Sequence, residues 1–180
     1  MNFIKTEIDG VIVVEPKTFS DSRGLFYENY RKELFAANGI PGDFVQDNIS
    51  SSAKGALRGL HYQIAPKAQA KLLHVLHGSV FDVGVDLRPG SRTYGKYFSV
   101  ILSAQNRKML YLPKGFAHGF CVLEDGTEFL YKVSDYYSPE HERGVLWSDP
   151  ALAIPWPKFD REFILSEKDK KYPGLRDLRP

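Results

Sequence analysis

The strongest constraint in this 180-residue chain is a recurrence of short runs rich in Val, Ile, Phe and Tyr, each broken by Gly, Pro, Asn or Asp. That punctuation predicts a β-sandwich or barrel. The runs fall at 11–15, 24–30, 43–50, 56–63, 71–77, 79–87, 96–103, 107–112, 118–123, 127–134 and 143–147. Several alternate with the two-residue period of a strand. In VFDVGVDL, Phe81, Val83, Val85 and Leu87 share one face while Asp82, Gly84 and Asp86 share the other, so the strand is expected to have one wet side. Only two segments read as helix: RKELFAANG, stopped by Gly39 as a C′ residue, and SEKDKK, where Ser166 and Asp169 have capping-box spacing. No repeat, low-complexity tract or linker-like shift divides the chain, and DPALAIPWPKFD reads as an extended surface segment. The expectation is one all-β domain over 1–180 with short peripheral helices.

Apolar residues make up 43% of the chain, enough to bury one core of this size. The net charge of +2 comes from scattered Lys and Arg, which gives no electrostatic reason to expect nucleic acid and favours a small anionic partner. The opening MNFIKTEIDG lacks an apolar export signal, and no stretch approaches the roughly 20 apolar residues that cross a bilayer. A cytoplasmic protein with no membrane partner is expected. The single cysteine, Cys121, cannot form an internal disulfide and fits a reducing compartment; its apolar flanks suggest a buried structural thiol.

Ionisable side chains on apolar strand faces are costly to bury unless something pairs with them, so they mark candidate chemistry. Alternation places His61 with Leu57 and Gly59, Lys71 with Leu73 and Val75, and Tyr131 with Phe129 and Val133. Taken singly, each also reads as a satisfied core histidine, a strand-end lysine or a tyrosine at a rim. If the three faces line one barrel, the trio suits proton transfer at carbon: a histidine base, a lysine to stabilise an enolate oxygen, and a tyrosine to return a proton from the opposite side. Asp169 could orient the His61 tautomer or could simply cap its turn. Phe19 and Phe26 read as core.

The segments RGLFYENY, FVQDNIS, LRGLHYQ, AQAKLLHVLHGSVFDVGVDLR, YLPKGFAHGF, FLYKVSDYYSPEHERGVLW and LSEKD resemble, in order, the dTDP-4-dehydrorhamnose 3,5-epimerase family, over about residues 4–172. The resemblance implies a cupin-like jelly roll and cofactor-independent epimerisation of C3 and C5 of dTDP-4-dehydro-6-deoxy-D-glucose to dTDP-4-dehydro-L-rhamnose. It implies His61 as proton acceptor, Tyr131 as proton donor and Lys71 at the enolate. It also implies nucleotide-sugar binding by Arg23, Glu28, Gln46, Asn48, Arg58, His118, Glu142 and Lys168, with Tyr137 stacking on thymine. The partner is then a dTDP-linked 4-keto-6-deoxyhexose, and the assembly a homodimer whose N-terminal strand crosses to the neighbour, carrying Arg23 into its pocket. PKGFAHGF looks like the second cupin motif, but HYQ stands where HxH would be and Lys71 takes roughly the carboxylate's place, so no metal is expected. The rival readings are an epimerase acting at one carbon of a related sugar, a metal-dependent cupin enzyme and a non-catalytic sugar-binding module. A regular strand would put Arg58 and His61 on opposite faces, so both serve one site only if Gly59 allows a bulge or the strand lies at a rim.

Overall fold

In the computed structural model, which describes residues 1–178, strands alternate between two antiparallel sheets as they run along the chain. One sheet has the order β1 (Asn2–Lys5), β2 (Ile12–Glu15), β10 (Met109–Leu112), β7 (Lys71–His77), β12 (Thr127–Val133), β5 (Gln46–Ser52). The other has the order β13 (Glu142–Gly144), β6 (Leu57–Gln63), β11 (Phe116–Val122), β8 (Ser79–Asp86), β9 (Tyr97–Ser103). From β5 to β8 each successive strand switches sheet, which is the winding of a jelly roll. A separate hairpin pairs β3 (Thr18–Asp21) with β4 (Gly24–Tyr27). The only α-helix among the described residues, α1 (Lys32–Ala37), lies within the first predicted helical segment.

The core divides into an interior and two outer layers. Leu73, Val75 and Phe129 from one sheet meet Val80, Phe116 and Phe120 from the other inside the roll. Outside the six-stranded sheet, Phe35 of α1 packs with Leu72, Met109 and Tyr111. Outside the five-stranded sheet, Leu152 and Trp156 of the Pro-rich segment cover Leu60, Val83, Val85 and Ala117. That segment opens with a hydrogen-bonded turn over 149–153 rather than the extended chain expected, and it serves as a cover rather than a free surface strand. At about 25 cal/mol per Å² of apolar area, covering a sheet face is among the larger stabilising contributions available to an irregular segment.

Several expectations need correction. The Asp82 face of β8 is not wet: Asp82 and Asp86 are both fully buried, and it is the Val83 and Val85 face that points outward, under the C-terminal cover. Alternation distinguishes two faces without saying which is inner, and a polar interior reverses the usual assignment. Asp86 is kept ionised by Arg88, Ser91 and Thr93: burial pushes its carboxyl up, and these donors outweigh that and hold it well below the usual range. The SEKDKK segment forms a turn, not a helix, although Asp169 N–H does donate to Ser166 Oγ at 3.1 Å. So short a segment, followed by Pro173, cannot repay helix nucleation. Phe19 and Phe26 are not core; they are 53% and 69% exposed on the β3–β4 hairpin, which pairs with neither sheet and rests on the six-stranded one through Tyr27, edge-on to His74 at 6.0 Å. The runs at 24–30 and 143–147 shrink to four and three residues of strand. Strands β1 and β3 lie outside every predicted run, because both are short and neither carries a buried apolar stripe.

Candidate active site

The interior opens at one end into two adjoining cavities of about 280 and 470 Å³. His61, Lys71 and Tyr131 line both. His61 comes from the five-stranded sheet, and Lys71 and Tyr131 from the six-stranded sheet, so the three heads reach the shared space from facing walls. The smaller cavity adds Gln46, Asn48, Tyr137 and Glu142; the larger adds Arg58, His118, Lys168 and Asp169.

Arg58 and His61 share a wall because β6 carries a bulge. His61 pairs with His118 and Arg58 with Phe120, so Gly59 and Leu60 together oppose the single residue Gly119. Gly59 has φ +131°, and a Cβ there would sit 2.5 Å from the Gly119 Cα. Only glycine lets the two backbones approach so closely. The Arg58 guanidinium then reaches Ser52 Oγ at 3.0 Å.

His61 Nε2 is bonded to Asp169 Oδ1 at 2.5 Å. Asp169 is buried; burial pushes its carboxyl up, but the His61 bond, Ser166 and the Gly59 N–H outweigh it and hold the group below its ordinary value. An ionised carboxylate can only accept, so Nε2 carries the hydrogen and Nδ1 keeps the lone pair. Ser166 therefore caps the turn by accepting from the Asp169 N–H, which leaves the Asp169 carboxylate free to hold the imidazole by Nε2. Burial lowers the Lys71 ammonium to about 8, against the opposing pull of Asp82 and Glu142. His118 gives Nε2 to Asp82 Oδ2 at 2.9 Å and is itself pushed down by burial despite that partner. Glu142 joins the two cavities' rims: it accepts from Tyr137 OH at 2.7 Å and pairs with Lys168 Nζ at 2.5 Å. Burial pushes its carboxyl up, and these two donors more than reverse that. Gln46 Oε1 accepts from the Tyr137 N–H at 3.0 Å, while its amide donates to Asn48 at 2.8 Å.

Two expected residues are not brought in. Arg23 has its side chain 88% exposed at the tip of the hairpin, paired with Asp21, and Glu28 pairs with Arg31 at 3.4 Å. Neither lines either of these two cavities. Conversely, Gln63, Gln69 and Asp82 were not singled out. Gln63 lies two residues from His61 on the same face, and alternation alone identifies it; its Oε1 accepts from the Ser138 N–H at 2.8 Å and pins the loop that carries Tyr137. Among the described residues no group of three or more His, Cys, Asp or Glu side chains is placed to hold a metal ion. Cys121 is buried away from the site, its thiol pushed up to about 12 by burial, an inert structural group.

The family model for dTDP-4-dehydrorhamnose 3,5-epimerase matches residues 5–177. The dTDP-4-dehydrorhamnose 3,5-epimerase of Shigella flexneri is 53% identical over 170 residues, 94% of this chain and 93% of that one. Its counterpart in Escherichia coli K12 is 50% identical over 179 residues, 99% and 96% of the two chains. The dTDP-6-deoxy-D-glucose-3,5-epimerase of Legionella pneumophila Philadelphia 1, solved in complex with dTDP-4-keto-L-rhamnose, superposes with a TM-score of 0.94 at 47% identity, covering 99% of this chain and 94% of that one. With its motifs in order and its histidine, lysine and tyrosine gathered at one end of a jelly roll, the chain belongs to the dTDP-4-dehydrorhamnose 3,5-epimerase family of isomerases.

Proposed function

We propose that this protein inverts C3 and C5 of dTDP-4-dehydro-6-deoxy-D-glucose, giving dTDP-4-dehydro-L-rhamnose, by general acid and base catalysis without a cofactor. The observation that carries the assignment of roles is the convergence of His61, Lys71 and Tyr131 from facing walls on one cavity. His61 Nδ1 takes the proton from the carbon next to the C4 ketone, and the C–H electron pair moves into the ring to place negative charge on the C4 oxygen. The Lys71 ammonium stabilises that enolate oxygen in a partly dry site. Tyr131 returns a proton to the opposite face of the same carbon, and solvent restores both side chains before the second carbon is turned over. Removal on one face with return on the other is inversion.

Binding follows from the donor types around this centre. Arg58 and Lys168 supply charge for the diphosphate, Gln46, Asn48, Glu142 and His118 supply polar partners for the sugar, and Tyr137 offers a ring to thymine. Arg23 and Glu28 serve the neighbour's site in a homodimer, for which the exposed apolar hairpin side chains Phe19, Leu25 and Phe26 are the support. One catalytic domain working in the cytoplasm completes the reading, and no helix among the described residues is long and apolar enough to cross a membrane.

The test is incubation with the 4-keto-6-deoxy substrate in deuterated water, followed by NMR at C3 and C5. Label at both positions with inverted configuration is expected; label at one carbon would reduce the activity to single-site epimerisation, and none would leave a binding module.

A further inference from the structure

Tyr172 belongs to none of the groups assigned above, yet it touches the base. Its ring meets the His61 imidazole edge-on, with centroids 5.6 Å apart and planes at 65°. It occupies a space that Gly144 leaves open: Gly144 is the strand partner of His61 across β13 and β6, and a Cβ there would fall 2.5 Å from the tyrosine ring. Lys168 Nζ lies 5.9 Å from the centre of the same ring. The segment is tied down behind it, where the Leu146 N–H donates to Pro173 O at 2.8 Å. Packing against Gly144 and His61 holds the ring, and its hydroxyl, buried without a hydrogen bond of ordinary geometry, lies near the Lys168 ammonium.

We infer that Tyr172 is a positioning residue for the proposed base, an aromatic wedge that keeps the His61 ring turned so that Nε2 stays on Asp169 and Nδ1 stays with the substrate. Asp169 holds one nitrogen of the imidazole but leaves the ring free to swing about that bond. A packed ring against its edge removes the swing. One short stretch, the turn from Ser166 to Lys171 and the Tyr172 that follows it, supplies both constraints, so the bond and the wedge arrive together. Misplacing a catalytic group by about 1 Å costs on the order of 100-fold in rate, which sets the scale of what the wedge protects.

The inference rests on His61 being the base, so the experiment begins by measuring deuterium exchange in His61→Asn. Exchange retained there would sink the base assignment and this inference with it. With exchange lost in His61→Asn, Tyr172→Ala is expected to lower kcat by roughly 10- to 100-fold with KM changed by no more than about twofold, and Tyr172→Phe to recover most of the loss. Tyr172→Leu, which keeps apolar volume without a flat ring, serves if the alanine variant fails to fold, and the same fall in kcat is expected. Normal kcat in the alanine or leucine variant overturns the inference alone. So does a rise in KM at unchanged kcat, which would make Tyr172 a substrate contact, or a Tyr172→Phe variant as slow as Tyr172→Ala, which would give the role to the hydroxyl.

Discussion

At the residue scale the chemistry depends on which protonation states the interior enforces. Lys71 acts as the ammonium, and burial brings it to about 8, far below a lysine in water. In the proposed reaction the charged form is the active one, so the alkaline limb of the kcat/KM profile is expected to fall as pH rises through about 8. Lys71→Arg, whose charge does not titrate in this range, should lose that alkaline limb even if it is slower throughout. Asp169→Asn removes the anion that selects the tautomer with Nε2 protonated, and a fall of about 100-fold or more in exchange is expected, with dTDP affinity little changed by calorimetry. Tyr131→Phe separates the two halves of the reaction. The ring still packs on Phe129, 5.8 Å away between centroids, but the donor is gone, so deuterium should enter with retained configuration while inversion falls about 100-fold or more. Normal inversion by that variant would falsify the role of Tyr131 as donor.

At the element scale the decisive feature is the bulge in β6. Without it, Arg58 would pair with Cys121 and point to the outer layer, where Leu60 packs against the C-terminal cover. The extra residue restores Arg58 to the inner wall beside His61 and makes Gly59 irreplaceable. Gly59→Ala combines a forbidden φ with a Cβ driven into the backbone of β11, and the strained conformation alone costs on the order of 1–3 kcal/mol. A loss of unfolding free energy of that size or larger in denaturant titration is expected, accompanied by weaker dTDP binding as Arg58 leaves the wall. Wild-type stability would mean that the bulge relaxes cheaply, and Arg58 would lose its reason for being at the site. The turn at 166–171 plays the same part from the other end of the chain: too short for a helix, it delivers Asp169 to His61 across 108 residues of sequence.

For the whole molecule the proposed homodimer turns on the β3–β4 hairpin. It exposes Phe19, Leu25 and Phe26 and holds Arg23 away from the two cavities that His61 lines, an arrangement suited to a second copy and poorly suited to a monomer in water. Mixing Arg23→Ala with His61→Asn tests this directly. If Arg23 works across the interface, each mixed dimer has one intact site, and random exchange should restore roughly a quarter of wild-type activity from two inactive preparations. No recovery, in a mixture shown by mass spectrometry to contain mixed dimers, would return Arg23 to its own chain or remove it from the site.

The sequence alone determined the β architecture, because a period of two and frequent turn residues leave a chain little else to form, and alternation set Lys71, Tyr131 and His61 on strand faces. The order of its motifs carried the family. What it left open were matters of which surfaces meet. The wet face assigned to β8 was an interior one, since two faces of a strand look alike until another sheet or segment covers one of them. Aromatic residues in short apolar runs suggest core, whereas burial depends on what covers each one: the hairpin rests on β7 through Tyr27 and leaves Phe19 and Phe26 exposed. Arg58 could not be placed, because a bulge is a local departure from the periodicity on which the placement relied. The union of Asp169 with His61 and the wedge of Tyr172 behind it were decided by tertiary structure alone, through contacts that bring together residues more than a hundred positions apart and that no local pattern encodes.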